Sequence, residues 1–193
     1  MGKIRKNELL IISGPNGSGK TTFAKAFLKK HQYYYLSADD IAMEIDPDYF
    51  DKARLKAGKE FFVRLEKSKS DKKDIIIENT LSGLYLRRII PQFKNHNYII
   101  SIVFIFIEDP QICIERIKER VLKGGHYITD KDVLRRYHRC NNNFWKKYKL
   151  LADNWHLTYN SEDQFRTLAH GVQEDYQVKN KKKFEKFIEK LDL

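Results

Sequence analysis

A glycine-rich segment near the N-terminus constrains the fold more than any other feature of this 193-residue chain. Its residues, Gly14 to Thr21, match the pattern G-x-x-x-x-G-K-[ST] in full. The segment follows a short apolar run, Glu8 to Ser13, and precedes apolar residues at helical spacing in Thr21 to Lys30. Glycines let successive backbone N–H groups point at phosphate oxygens, and the helix N-terminus adds partial positive charge. The sequence therefore predicts a phosphate-binding loop between a buried strand and a helix.

Short apolar runs alternate with segments of helical periodicity along the rest of the chain. The predicted strands are residues 8–13, 34–36, 74–78, 101–107 and 155–159, and the predicted helices are residues 21–30, 47–70, 85–95, 110–122, 130–151 and 184–191. Asp109 and Asp130 are the predicted N-caps of two of these helices. Apolar strands that alternate with helices are typical of parallel sheets covered on both sides.

This order of elements predicts an α/β fold of the P-loop NTPase type. We expect a parallel five-stranded sheet flanked by helices on both faces, kinase-like and with a helical lid. The length fits one domain, 1–193, better than two. In such sheets ligands bind at the carboxyl ends of the strands, so the polar residues at those ends are the candidate site.

Composition favours a globular protein in the cytoplasm. The longest apolar run, Tyr98 to Ile107, is far shorter than the roughly 18–20 residues that cross a bilayer. The basic N-terminal residues lack the long apolar region of a signal peptide, so no membrane association is expected. Cys113 and Cys140 lie in apolar helical patterns without metal-ligand spacing, which predicts reduced core residues.

The net charge of +11 has two interpretations. It can reflect a nucleic-acid partner, or phosphate ligands together with a lysine-rich solvated surface. The basic residues are dispersed, and no basic motif with interleaved aromatic residues is evident. The second interpretation is favoured, and a nucleic-acid partner stays open as an alternative.

The glycine-rich loop predicts the cofactors ATP and Mg²⁺. Lys20 would reach the β- and γ-phosphates, and the Thr21 hydroxyl would hold the metal. The chain has no N-K-x-D motif of the kind that GTPases use to read the base. The residues predicted to bind the nucleotide are Gly14, Pro15, Asn16, Gly17, Ser18, Gly19, Lys20, Thr21 and Thr22.

Asp39 is the candidate catalytic base. It follows the second predicted strand, where a carboxylate can orient and deprotonate an acceptor hydroxyl as the phosphoryl group moves. Asp40 lies next to it, and aspartate is also a good N-cap. We assign catalysis to Asp39 and helix capping to Asp40, and the reverse assignment remains the alternative.

Glu78 is the candidate metal-binding carboxylate. It ends an apolar strand, where a charge is costly unless it meets Mg²⁺, water or a substrate hydroxyl. The pair Glu108-Asp109 competes for this role, but Asp109 already has a capping role ahead of Pro110. The sequence favours Glu78 and leaves Asp109 as the alternative.

Two arginines in the predicted helix 130–151 are candidates for binding the transferred phosphoryl group. At 100° per residue, Arg136 and Arg139 fall on a stripe beside the apolar face of that helix. Two cations on one stripe suit a clamp for the γ-phosphoryl group. Arg135 points further from the core and fits a solvated face. The segment Gly124-Gly125-His126 is interpreted as the hinge of a mobile lid.

Five segments together resemble a known family. The segments are residues 14–22, Ser37-Ala38-Asp39-Asp40-Ile41-Ala42, Glu78-Asn79-Thr80-Leu81-Ser82-Gly83, Gly124-Gly125-His126 and Arg136-Tyr137-His138-Arg139. They resemble the zeta-toxin-like P-loop kinases, and most closely the short bacterial branch described as predicted ABC-type ATPases. The resemblance extends over residues 8 to 160.

The resemblance implies a kinase that uses Mg·ATP. Zeta toxins phosphorylate UDP-N-acetylglucosamine at the sugar 3′-hydroxyl, and they have antitoxin partners. The catalytic aspartate of the family falls on Asp39, its strand-end glutamate on Glu78 and its phosphate-clamping arginines on Arg136 and Arg139. The chain is short and shows no extended sugar-nucleotide pocket, so the acceptor is open between a sugar nucleotide and another small molecule. A nucleic-acid-associated ATPase and a nucleic-acid end kinase are the rival functions.

Overall fold

A seven-stranded sheet runs through the centre of the computed structural model, which describes residues 6–47 and 49–192. The strands are β1 (Glu8–Ser13), β2 (Tyr34–Leu36), β3 (Ile75–Asn79), β4 (Ile99–Phe106), β5 (Asn154–Tyr159), β6 (Arg166–Val172) and β7 (Asp175–Val178). Their order across the sheet is β2-β3-β1-β4-β5-β6-β7. Residues 1–5, 48 and 193 of the predicted single domain lie outside the described residues, as do the side chains of residues 50 and 51.

Helices connect the strands and cover the sheet. They are α1 (Lys20–Leu28), α2 (Ala38–Ile45), α3 (Phe50–Ser70), α4 (Leu86–Asn95), α5 (Pro110–Leu122), α6 (Asp130–Asn143) and α7 (Lys181–Ile188). A short π-helix, Phe144–Tyr148, continues α6. The first five strands pair in parallel, as the sequence predicts.

The central strand β1 shows why the sheet is covered on both sides. Side chains of a strand alternate between the two faces, so a strand buried on both faces is apolar throughout. Leu9 and Ile11 belong to the larger core, which side chains of α2 to α7 complete. Leu10 and Ile12 belong to a smaller core on the other face, to which α1 contributes Ala24. The prediction of an α/β fold with helices on both faces is confirmed.

The predicted number of strands was wrong. β6 and β7 extend the sheet beyond β5 by antiparallel pairing, so the sheet is mixed and has seven strands instead of five parallel ones. Only Leu168 and Ala169 of β6 are buried, and all of β7 is exposed. These strands therefore lack the apolar run that marks the parallel strands in the sequence. The indole N–H of Trp155 donates to the carbonyl oxygen of Gln173, 3.0 Å away, and ties the β6–β7 turn to β5.

Several helix boundaries also differ from the prediction. The predicted helix 47–70 begins only at Phe50, and the separate helix α2 precedes it. The predicted helix 130–151 ends as an α-helix at Asn143 and widens into the π-helix. Its N-cap is Thr129 and not Asp130, because the Thr129 hydroxyl accepts from the backbone N–H of Asp132. Asp109 caps α5 as predicted, accepting from the N–H of Gln111 at 2.8 Å.

Two further expectations concern the cysteines and membrane-spanning helices. Cys113 and Cys140 are both buried and unpaired, as expected for reduced core residues. Among the helices of the described residues, none has the length and apolar character required to span a bilayer.

The C-terminal helix α7 closes the larger core with aromatic contacts. Phe187 is fully buried, and its ring centroid lies 5.2 Å from that of Phe106 and 5.5 Å from that of Trp145. Aromatic pairs at these distances add to the free energy gained by burying their apolar area. The helix is therefore part of the same folding unit as the sheet.

We expect Phe187→Ala to lower the free energy of unfolding by about 3–5 kcal/mol, because it leaves a cavity among aromatic rings. Urea denaturation followed by circular dichroism would measure the change. Lys186→Ala is the control, since Lys186 is exposed and pairs with the exposed Glu189; its effect should stay below about 0.5 kcal/mol. Similar small effects of both substitutions would mean that α7 is dispensable to the core.

Candidate active site

The loop between β1 and α1 passes so close to neighbouring backbone that it needs glycine at two positions. A Cβ atom at Gly14 would lie 2.4 Å from the carbonyl oxygen of Ile105, and one at Gly17 would lie 2.6 Å from that of Cys113. Both residues also have positive φ, 139° and 77°, as does Gly19 at the start of α1, with 91°. These conformations suit glycine and strain other residues. The predicted phosphate-binding loop thus has the backbone that its motif requires.

Lys20 lies across this loop. Its ammonium group donates to the carbonyl oxygens of Pro15, at 2.8 Å, and Gly14, at 3.2 Å. Burial lowers the pKa of Lys20, and the negative charge of Glu78 opposes this shift. A phosphate group in the loop would give this half-buried ammonium group a strong anionic hydrogen-bond partner.

Thr21 and Glu78, the two residues predicted to bind metal, are joined directly. The Thr21 hydroxyl donates to one carboxylate oxygen of Glu78 at 3.0 Å, and the Tyr35 hydroxyl donates to the other oxygen. Burial raises the pKa of the Glu78 carboxyl group, and the two hydrogen-bond donors oppose this shift. A hydroxyl and a carboxylate oxygen are hard ligands of the kind that Mg²⁺ takes alongside phosphate oxygens and waters. The residues present therefore fit a magnesium ion.

The competing carboxylates have other partners. Asp109 caps α5, and the Glu108 carboxylate lies 3.1 Å from the ammonium group of Lys183 on α7. Neither residue lines the cavity that contains the loop. The geometry therefore favours Glu78 over Asp109 as the metal-binding carboxylate.

Asp39 lies in the first turn of α2 and lines the cavity with its side chain more than half exposed. Its carboxylate oxygen is 3.7 Å from the imidazole Nε2 atom of His126. The capping role assigned to Asp40 was wrong: the Ser37 hydroxyl caps α2 and accepts from the backbone N–H of Asp40. Asp40 does not line the cavity, and burial raises the pKa of its carboxyl group.

The two arginines predicted on α6 have different surroundings. Arg136 is half-buried and lines the cavity, with its guanidinium group 3.4 Å from the side-chain oxygen of Asn16 in the loop. Arg139 is exposed and does not line the cavity. The buried neighbour of Arg136, Tyr137, donates to the carbonyl oxygen of Ile107 at 2.6 Å and sets the rotation of α6. At 100° per residue, Arg139 then lies about 60° round the helix towards solvent.

Three arginines that line the cavity were missed from the sequence: Arg54 on α3, and Arg116 and Arg120 on α5. Arg116 pairs with Asp163 at 2.7 Å, and Arg120 donates to the carbonyl oxygen of His126 at 2.9 Å. One buried nitrogen of each α5 arginine has no hydrogen-bond partner among the described residues. The spacing of four residues between Arg116 and Arg120 was the available signal, because it puts both on one helix face.

The phosphate-binding loop, the two carboxylates and the four arginines surround one cavity of about 450 Å³ at the carboxyl ends of the strands. The cavity is lined by Asn16, Gly17, Gly19, Lys20, Thr21, Thr22, Ser37, Ala38, Asp39, Arg54, Glu78, Asn79, Thr80, Arg116, Arg120 and Arg136. Of the loop residues predicted to bind nucleotide, Gly14, Pro15 and Ser18 are buried in the loop and do not line it. A second cavity, of about 580 Å³, shares Arg116 and Arg120.

Sequence comparisons find relatives along most of the chain. An uncharacterized protein of Haemophilus influenzae is 29% identical over 134 residues, which is 69% of this chain and 95% of that protein. A guanylate kinase of Clostridium perfringens is 28% identical over 153 residues, which is 65% of this chain and 66% of that enzyme.

Comparisons with solved structures and with a family model find further relatives. A structure from the PezAT chromosomal toxin-antitoxin system of Streptococcus pneumoniae has a TM-score of 0.70 at 14% identity, covering 98% of this chain and 80% of that one. An AvrRxo1-ORF1:ORF2 structure with ATP has a TM-score of 0.70 at 15% identity, covering 94% of this chain and 63% of that one. Residues 9–140 match the model of the family AAA_33, an AAA domain. Because that match covers most of the chain, this protein belongs to the AAA_33 family, and its fold is that of the P-loop kinases.

Proposed function

We propose that this protein is an ATP-dependent phosphotransferase that moves the γ-phosphoryl group of Mg·ATP to a hydroxyl group of a small molecule. The observation that carries the proposal is the single cavity where Lys20, the Thr21–Glu78 pair and Asp39 meet four arginines. A nucleotide-binding loop alone would suit a hydrolase equally well. The Asp39 carboxylate, which lines the same cavity and can take the proton of an acceptor hydroxyl, is what favours transfer.

The phosphate groups of ATP would lie along the loop. Its backbone N–H groups and the α1 N-terminus favour negative charge there, and Lys20 is already held across the loop by two carbonyl oxygens. Thr21 and Glu78 would hold Mg²⁺, which neutralises charge on the phosphates when bound. Arg120 and Arg136 line the same cavity and would contact the γ-phosphoryl group, and Arg116 lies one turn from Arg120 on α5.

Asp39 would act as the general base. The acceptor hydroxyl loses its proton to the Asp39 carboxylate while its oxygen forms a bond to the γ-phosphorus atom. The bond between that phosphorus atom and the bridging oxygen breaks, and ADP leaves. The negative charge spreads over the equatorial oxygens in the transition state, where Arg120 and Arg136 stabilise it. His126, close to Asp39, orients the carboxylate.

We infer that the acceptor is a small molecule, with a UDP-N-acetyl sugar as the first candidate. The resemblance of the Asp39, Glu78 and Arg136 segments to zeta-toxin-like kinases supports this choice, as does the likeness in fold to a toxin-antitoxin structure. The same two observations support an antitoxin as a protein partner. The net charge of +11 is in part explained by the cavity itself, whose lining carries five cations and two carboxylates.

A panel of acceptors tests the proposal. The protein would be incubated with Mg·ATP and, separately, with sugar nucleotides, nucleosides, antibiotics and oligonucleotides, and products would be analysed by mass spectrometry. We expect the mass gain of one phosphoryl group on a small molecule. Labelling of oligonucleotide ends alone would favour the rival end kinase, and ATP hydrolysis without any labelled acceptor would contradict transfer.

Asp39→Asn should lower the rate of phosphoryl transfer by about 10² or more, the scale of a lost general base. The amide keeps the shape of the side chain but cannot take the proton, so the affinity for ATP should stay near that of the wild type. Steady-state kinetics would separate the two effects. Asp40→Asn is the matched control, because Asp40 does not line the cavity. If Asp40→Asn were the damaging change, the roles would have to be exchanged.

Arg136→Ala and Arg120→Ala should each lower kcat more than they raise KM for ATP. An interaction made mainly in the transition state has this signature. Arginines at such transition states contribute roughly 10³–10⁵ in rate in the best-studied cases. We expect each substitution to lower kcat by about 10² or more. Arg139→Ala should have little effect, since that side chain is outside the cavity. Equal losses of kcat in Arg136→Ala and Arg139→Ala would instead support the clamp of two arginines that the sequence predicts.

Glu78→Gln should raise the Mg²⁺ concentration needed for half-maximal ATP binding by about 10- to 100-fold, the scale on which carboxylates around metal sites act. The amide keeps the size of the side chain and removes its charge. Calorimetric titration of ATP at several Mg²⁺ concentrations would measure the shift without relying on turnover. Glu108→Gln is the control carboxylate, and an equal shift in both variants would exclude a special role for Glu78.

A further inference from the structure

A buried leucine just beyond β3 has a backbone conformation that few side chains adopt. Leu81 is fully buried and has a φ of 57°. The left-handed region is costly for a bulky residue, because its Cβ atom approaches the neighbouring carbonyl oxygen. The other non-glycine residues with positive φ in the described part of the chain are exposed. A conformation of this kind persists only where its surroundings hold it, and such residues cluster at active sites and ligand sites.

The turn 79–83, which contains Leu81, is held in place by two buried side chains from α6 and the π-helix. The Asn143 amide donates to the carbonyl oxygens of Leu81, at 2.8 Å, and Ser82, at 3.3 Å. The Tyr148 hydroxyl donates to the carbonyl oxygen of Gly83 at 2.8 Å. Hydrogen bonds from a distant part of the chain therefore offset the strain at Leu81 and fix the course of the turn.

The π-helix lets both side chains reach the same turn. In an α-helix, residues five apart point about 140° away from each other. Here the N–H group of Lys149 donates to the carbonyl oxygen of Phe144 at 3.0 Å. This i→i+5 bond widens the helix and brings Asn143 and Tyr148 closer to one face. Because π-helices are rare and occur frequently at functional sites, two uncommon backbone features converge on this turn.

The turn leaves the sheet beside the candidate base. β2 and β3 are parallel neighbours, and Leu36 pairs with Ile77 at their carboxyl ends. Asp39 and Thr80 each lie three residues beyond this pair, and both line the cavity. Since neighbouring strands are about 4.8 Å apart, the two residues leave the sheet close together. Thr80 also lies two residues beyond Glu78, the candidate metal-binding carboxylate, and therefore near the reacting end of a bound nucleotide.

The Thr80 hydroxyl has capacity for a further hydrogen bond. It lies 2.8 Å from the Ser82 hydroxyl and accepts from the backbone N–H of Ser82 at 3.3 Å. A threonine hydroxyl has one donor and two acceptor sites. When the Ser82 hydroxyl donates to Thr80, the Thr80 O–H group can donate to an oxygen atom in the cavity. A neutral hydroxyl group suits a hydroxyl oxygen of a second substrate, whereas the cations in the lining suit phosphate groups.

We propose that the turn 79–83 binds the acceptor, with the Thr80 hydroxyl donating to an oxygen atom next to the hydroxyl group that reacts. Asn143 and Tyr148 are positioning residues, because they hold the turn in its strained form and do not line the cavity. The strain is retained because a relaxed turn would carry Thr80 away from Asp39. This inference rests on the proposed phosphotransferase function and adds the residues that orient its acceptor.

Steady-state kinetics of Thr80 variants test the contact with the acceptor. Transfer from Mg·ATP would be measured with UDP-N-acetylglucosamine, uridine, kanamycin and an oligonucleotide, and the variants would be compared on the probe that reacts fastest. Thr80→Val keeps the size of the side chain and removes its hydroxyl group. We expect it to raise KM for that probe at least about tenfold, while KM for ATP stays within about twofold. Thr80→Ser keeps the hydroxyl group and should restore most of the affinity for the probe.

A double variant tests the positioning role of Asn143. Asn143→Ala should raise KM for the same probe severalfold. If Asn143 acts through Thr80, adding Asn143→Ala to Thr80→Val should raise KM by no more than about twofold beyond Thr80→Val alone. Asn142→Ala is the matched control, because the Asn142 amide bonds His138 and Asp192 and not the turn. Thr80→Val still decides the proposal if Asn143→Ala folds poorly.

Three results would overturn the inference. An unchanged KM for the probe in Thr80→Val would exclude the contact with the acceptor. An equal rise in KM for ATP would assign the turn to the nucleotide instead. Independent, additive effects of Thr80→Val and Asn143→Ala would show that Asn143 does not act through Thr80. Transfer to none of the four probes would contradict the phosphotransferase and this inference with it, whereas transfer that the variants leave unchanged would contradict this inference alone.

Discussion

The close approach of the glycine-rich loop to its neighbours is the constraint on which the rest of the site depends. Gly14 passes against the backbone of β4, and Gly17 passes against the backbone of α5. These contacts fix where α5 lies relative to the loop, and therefore where Arg116 and Arg120 are presented. The side-chain amide of Asn160, just beyond β5, donates to the carbonyl oxygen of Ser18 and holds the loop from a third direction. A residue larger than glycine would move all of these groups together.

Charge and burial act against each other around that loop. The pKa values of Lys20, Arg120 and Arg136 are all lowered, and burial is the main cause in each case. Partial burial of cations costs free energy, and the nearby carboxylates, among them Asp39 and Glu78, offset this cost only in part. A polyphosphate would relieve this cost through several charge-assisted hydrogen bonds at once. The same arrangement of charges that destabilises the folded protein thus favours binding of a highly charged anion.

Helix α6 connects the phosphate-binding loop with the segment that follows β3. Its Arg136 contacts the loop through Asn16, while its Asn143 donates to the carbonyl oxygen of Leu81, just beyond β3. Tyr137, between them in sequence, anchors the helix to the end of β4 through the carbonyl oxygen of Ile107. One helix therefore sets the position of a cation at the phosphate-binding loop and of the segment beyond β3. We therefore expect the loop and this segment to keep a constant spacing.

The sequence by itself determined the parts of this protein whose chemistry is local. The loop motif, the five apolar strands and the carboxylates at the ends of β2 and β3 could all be predicted, because their surroundings come from residues nearby in the chain. Tertiary structure alone decided which cations reach the cavity. Arg136 meets Asn16 across 120 residues of sequence, and a rotation of about 60° on α6 separates it from the exposed Arg139. The polar strands β6 and β7 likewise acquire their structure from pairing with β5, and so they left no apolar pattern to detect.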